Sequence, residues 1–173
     1  LAVGDTIDFL NTAVTSAAVS GTTLTIGTAS QPFTYQVSGA LAGNSFALVS
    51  KTASDSEIVL VPGVPGTGTS ITGSVGTGTQ SFAPTSTQLY QLVTATVTGN
   101  SGNGFLINSP DSNPADNFVV IIDQASSISA TGSGFDGVRF LTAGANIFFY
   151  DAAPVTCGRY GLLAVTTGAV DIT

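Results

Sequence analysis

The chain of 173 residues sets ten acidic side chains against three cations, for a net charge of −7, and has no His, Met or Trp. Three scattered cations, Lys51, Arg139 and Arg159, cannot neutralise a phosphate backbone or hold an anionic lipid surface, so nucleic acid and membrane docking are excluded as roles. Hydrophobic residues reach 43% and charged residues only 8%, so the surface must be built from Thr, Ser, Gly, Asn and Gln.

In chain order, the predicted elements are short strands. Leu1 to Leu10 carries Leu1, Val3, Ile7 and Phe9 on one parity. A Gly4-Asp5 turn places the strand proper from about Thr6, either as the first strand of a lobe or as a terminal strand that pairs elsewhere. Ala18 to Leu60 continues with Leu24 and Ile26, then Phe33, Tyr35 and Val37, a break at Gly39, then Phe46 and Leu48, and finally Ile58 and Leu60. Within each run the apolar residues fall at every second position, the period of a half-buried strand. Pro32 stands just before the Phe33 run, a tolerated place for proline. Ser50 to Ser56 reads as a polar loop holding Lys51 and Asp55.

The segments GDTIDF, AAVSGTTLTI, FTYQVSGALAGNSFALVS and SEIVLVPG together resemble a β-repeat unit of large secreted bacterial surface proteins of the adhesin-like or haemolysin-like kind. The resemblance covers residues 4–63, about a third of the chain. It implies an exported, extracellular, non-enzymatic surface protein. The Asp/Gly-rich GGxGxD nonapeptide that often binds calcium in such proteins is missing here, so calcium does not follow from the resemblance.

Val61 to Pro84 is rich in Pro and Gly and poor in large apolar side chains, which predicts a linker or projecting arm, with a surface loop or edge hairpin as the alternative. From Thr85 the β pattern resumes. Gln88 to Thr98 alternates, Phe105 to Ile107 is a short strand, and Ser109 to Asn117 is a loop of prolines and acids. Phe118 to Ile122 and Asn146 to Tyr150 are continuous apolar runs, the mark of strands covered on both faces. Val138 to Leu141 and one or two closing strands after Gly161 complete the list, with no credible helix. The predicted fold is all-β, an antiparallel β-sandwich or jelly-roll-like body, with two packed lobes as one form of it. Its parts are an N-terminal lobe at 1–62, a linker or arm at 63–84 and a C-terminal lobe at 85–173.

With Met missing, Leu1 is expected to follow a removed leader or to stand at an artificial boundary, and no 18-residue apolar run is present to span a bilayer. Without His, the Ser-His-Asp and Cys-His arrangements are ruled out, and a lone Glu beside three cations gives little for general acid–base work. No enzyme is expected. Zinc and iron sites lack their ligands, since Cys157 is single; it is expected to be a small buried hydrophobe. A calcium site needs several oxygens in a bent loop. The candidate is Asp111 to Asn117 with Asp111 and Asp116, approached by Asp123 or Asp136; Gly4 to Asp8 is a weaker one. The competing reading is that these side chains cap turns. For a polysaccharide face the candidates are Tyr35, Tyr90, Tyr150 and Tyr160, each in or beside an apolar run and so expected to sit in the core with the hydroxyl at the rim.

With little charge to protect its strand edges, the chain is expected to partner itself by strand addition. Leu1 to Leu10 or the Gly/Pro arm would be the donated segment of an extracellular filament, layer or adhesin. A calcium- or carbohydrate-binding adhesion module is the alternative, and a viral fibre or decoration protein the third reading.

Overall fold

The computed structural model describes residues 1–38, 41, 44–50, 54–62, 69–75 and 78–172. Every element among them is a strand, 17 in all, and no helix is long and apolar enough to cross a membrane. The chain divides into two compact units, Leu1–Val64 and Pro65–Thr173.

The first unit holds β1 (Thr6–Phe9), β2 (Val14–Ser20), β3 (Thr23–Thr28), β4 (Phe33–Gln36), β5 (Asn44–Ser50) and β6 (Ser56–Pro62). They form two three-stranded sheets, ordered β1-β6-β5 and β2-β3-β4, with every pairing antiparallel. The period-2 runs place alternate side chains inward, and Val14, Leu24, Ile26, Ile58 and Leu60 make one buried cluster shared by both sheets. Leu1 to Leu10, expected either to open the lobe or to pair elsewhere, supplies β1, which pairs with β6 of its own unit. Gly39 and Lys51 lie outside the described residues.

The second unit is built differently. Its strands are β7 (Thr69–Val75), β8 (Gln80–Phe82), β9 (Gln88–Thr98), β10 (Phe105–Ser109), β11 (Asn117–Ile122), β12 (Ser127–Ala130), β13 (Val138–Thr142), β14 (Asn146–Asp151), β15 (Val155–Cys157), β16 (Leu162–Val165) and β17 (Val170–Ile172). All their pairings are parallel. The first ladder runs β8-β10-β13-β16, the second β9-β11-β14-β17, and the third β9-β12-β15; β7 lies along β9 from Tyr90 to Val97. The chain visits the ladders in the same order each time, so each circuit lays one coil on the coil before it. This is a parallel β-solenoid. The antiparallel pairing expected of the whole chain is therefore corrected for residues 69–172, and a jelly roll does not describe them. The stretch 63–84, expected as linker or arm, supplies β7 and β8 to the ladders; 63–68 and 76–77 lie outside the described residues.

The reason for parallel stacking is visible in the side chains. Alternate residues of all three ladders point into one core that includes Leu92, Val97, Phe105, Ile107, Phe118, Val120, Ile122, Ile128, Phe140 and Ile147. Aromatic rings fill its centre: Phe82 lies 4.6 Å from Tyr90 and 5.3 Å from Phe105, and Phe140 meets Phe149 edge-on at 5.7 Å. No single coil encloses such a core, so burial is achieved by stacking neighbours.

At the bend of β9, Thr94 has φ 52°, a conformation costly for a β-branched residue. Its N–H is held by both carboxylate oxygens of Asp123, at 3.2 and 3.1 Å. On the neighbouring strand the register shifts between Thr72 and Gly73, and Gly73 takes φ 71°. Replacing Thr94 by Asn, which tolerates this conformation, is expected to raise stability by about 1 kcal/mol. A denaturation midpoint that does not rise would show that Asp123 removes the strain unaided.

Candidate functional site

Hydrogen-bonded polar side chains line the corners between the ladders of the second unit. Between the first and second ladders, Ser109, Thr142 and Thr166 stand one above another, and each accepts the amide two residues on, at 3.0, 3.2 and 2.9 Å. Each hydroxyl donates to a carbonyl of the coil before it, on Pro84, Asp111 and Ala145 respectively. Asn117 and Asn146 continue this stacking, with Asn146 Nδ2 donating to Asn117 Oδ1 at 3.0 Å and Asn146 Oδ1 accepting from Ala169 N at 2.9 Å.

The four carboxylates considered as calcium ligands lie along these corners. Asp111 and Asp116 share the Ser109–Asn117 corner. Asp116 accepts the Thr87 amide and hydroxyl and the Asn113 side chain. Burial works to raise its pKa, but these hydrogen bonds outweigh it and hold the carboxyl below its usual value. Asp111 accepts Asn113 N through Oδ1, while its solvent-shielded Oδ2 has no partner. Asp123 sits at the next corner, buried, bound to Thr94 N and Ser126 Oγ. Asp136 lies at the third corner. Among the described residues no three acidic, His or Cys side chains gather as a metal ligand set.

Two arginines gather on Asp136, and sequence reasoning singled out only its carboxylate. Corner three brings Asn103-Gly104, Asp136-Gly137 and Tyr160-Gly161 into line, through Gly104 N to Asp136 O at 3.1 Å and Gly137 N to Tyr160 O at 2.8 Å. Asp136 N donates to Asn103 Oδ1 at 2.8 Å. The Asp136 side chain is fully buried and is gripped by Arg159, Nε to Oδ1 at 2.7 Å and Nη2 to Oδ2 at 2.6 Å. Arg139 approaches Oδ2 only to 3.8 Å. Arg159 also lies 5.4 Å above the ring of Tyr160.

The hydrogen-bonded Arg159, then the charges of Arg159 and Arg139, hold the Asp136 carboxyl below its usual 3.8, against the opposing effect of burial. A carboxyl with a lowered folded pKa contributes stability that is complete above its unfolded value and lost as pH falls through the folded one. The advantage of the native chain over Asp136→Asn is therefore expected to be full at pH 7 and to shrink below about pH 4. Thermal melts across that range check it; an advantage independent of pH would mean that the charge of the pair is not its source.

The tyrosines divide. Tyr90 and Tyr150 are buried, and burial pushes both hydroxyls up to about 12, with the Asp171 charge adding to the effect at Tyr150. Tyr35 and Tyr160, expected in the core, are instead 47% and 54% exposed. Tyr35 lies on the edge strand β4 and Tyr160 just before the terminal coil. Cys157, expected buried, is half-buried at the end of β15.

Comparison of the chain with protein-family models, curated proteins and solved structures gave no match.

Proposed function

We propose that the chain is a non-catalytic structural and adhesive part of an extracellular surface assembly, a subunit of a filament or layer or a module of an adhesin. In this reading the first unit is a small β-sandwich and the second a solenoid body. The observation that carries it is the parallel stack itself. Its coils are joined by backbone pairing over a common core, and its turns are held by hydroxyl and amide ladders, an arrangement suited to a long-lived scaffold. The low charge and the resemblance over residues 4–63 support an exported setting.

Self-association by strand addition has an acceptor edge in β4. Its four residues are all exposed and pair, among the described residues, with β3 alone. Such an edge recruits further strands unless charge or proline blocks it. Concentration-dependent polymers are expected in sedimentation and negative-stain images, and Thr34→Lys with Gln36→Lys is expected to abolish them. Polymers unchanged in that double variant would overturn assembly through this edge.

A further inference from the structure

We propose that the strand donated to β4 is β17 of a second copy, so that copies join head to tail with Val170 and Ile172 laid beside Phe33 and Tyr35. This rests on the reading of assembly through the β4 edge and names the partner strand at that edge.

The segments expected from the sequence to be donated are already in use. Leu1 to Leu10 supplies β1, paired with β6, and the Gly/Pro arm supplies β7 and β8, paired with β9 and β10. Exposed apolar side chains point to a different donor. Among the described residues only two strands carry two large apolar side chains that are left exposed, β4 with Phe33 and Tyr35 and β17 with Val170 and Ile172. In each strand the two stand at alternate positions, hence on one face. Both strands are also edges: among the described residues β4 pairs with β3 alone and β17 with β14 alone.

The exposed faces are the core-facing ones. Phe33 and Tyr35 align with Ile26 and Leu24, which are fully buried in the first unit. Val170 and Ile172 align with Ile147 and Phe149 in the core of the solenoid. Each pair thus faces inward at the margin of its sheet, where no further strand among the described residues covers it. Beside β4 this leaves a cavity of about 290 Å³, walled by Ile7 and Phe9 of β1 and by Leu24, Tyr35 and Val37. Aromatic and β-branched side chains are favourable neighbours across a strand pair. With the inward faces on the same side, β17 gives the unpaired β4 edge its backbone partners and lays two β-branched side chains over the apolar seam. Asp171, between them, falls on the opposite face beside the uncharged Thr34, so no charge is buried. Because β4 and β17 are different surfaces, the contact repeats from copy to copy instead of ending at a two-fold dimer.

The test mixes two variants of the whole chain at a concentration where the parent forms polymers. Val170→Ser with Ile172→Ser removes the donor, and Thr34→Lys with Gln36→Lys the acceptor. Each alone is expected to sediment as a monomer. An equal mixture is expected to give one-to-one dimers and nothing larger, since each such pair keeps one intact contact. Ile172→Ser by itself should weaken association about tenfold or more, while Ile172→Leu, which keeps an apolar side chain, should weaken it about threefold at most. To separate a lost donor from a loosened last coil, a synthetic peptide of residues 167–172 is added to the unaltered chain, where it is expected to cap the β4 edge and shorten the polymers. Polymers lost in the acceptor variant but kept in the donor variant, a mixture that stays monomeric, or no shortening by the peptide overturns the β17 contact and leaves the β4 edge standing. Polymers kept in the acceptor variant, or no polymers from the parent, overturn assembly through β4 itself.

Discussion

Phe140→Ala is expected to cost the second unit about 3–5 kcal/mol, the range for removing a fully buried aromatic ring. Phe140 is 0% exposed, lies at the centre of β13 and meets Phe149 edge-on. Its strand is paired on both sides, Phe140 with Ile107 and with Ala164. Backbone pinned by two ladders cannot close over the space left by the ring, and the cost rises with the cavity that remains. Urea denaturation should show a lower midpoint with an unchanged slope. A loss below about 1 kcal/mol would contradict a close-packed core. Leu162, half-buried in the last coil, should tolerate the same truncation better, because less of its surface is taken out of water.

Gly137→Ala is expected to be nearly as damaging although it adds a single methyl group. A Cβ at residue 137 would lie 2.2 Å from Val155 Cγ1 and 2.8 Å from the Gly161 carbonyl oxygen. The second contact is backbone of the next coil, so relief requires the coils to separate rather than a side chain to turn. Overpacking costs about 1–3 kcal/mol where side chains can yield, and here the loss should reach the top of that range or exceed it. The variant's effect should also be local, with faster amide exchange in β13, β15 and β16 before β7 or β9. Uniform exchange throughout the unit would contradict coil-by-coil stacking.

The strands were legible because apolar alternation survives in each run. β9 spans Gln88–Thr98 as its pattern predicts, and β1 begins at Thr6. The pairing direction was not legible in the same way. Alternation says which face is buried and nothing about which neighbour lies alongside. Two hints pointed to parallel ladders. The continuous runs in β11 and β14 are typical of strands covered on both faces. Asn103-Gly104-Phe105, Asp136-Gly137-Val138 and Tyr160-Gly161-Leu162 repeat one pattern, a polar or aromatic residue, then Gly, then an inward apolar side chain, with Ser109, Thr142 or Thr166 following five residues after that Gly. The repeat is hard to see because its spacing is uneven.

The candidate site was half legible for a related reason. Asp136 stood out as an acid in a turn, but Arg159 follows 23 residues later and only the coil brings it alongside. Tyr160 read as a core residue because it precedes an apolar run. In the fold it sits at the corner before β16, where its ring lies under Arg159 and stays half exposed.

The uneven spacing has a consequence of its own. Phe105 aligns with Val138, and Val138 with Leu162, so coils of 33 and 24 residues stack in continuous register. All three corners absorb the difference, most visibly where Ser109 to Asn117 in one coil is matched by Thr142 to Asn146 in the next. Lengthening a corner costs little, since loop-closure entropy grows only slowly with length, whereas lengthening a strand would turn its inward side chains outward. The body is thus conservative along its ladders and permissive at its corners. A lineage carrying this unit can vary the segments it displays, by insertion and deletion, without redesigning what holds them.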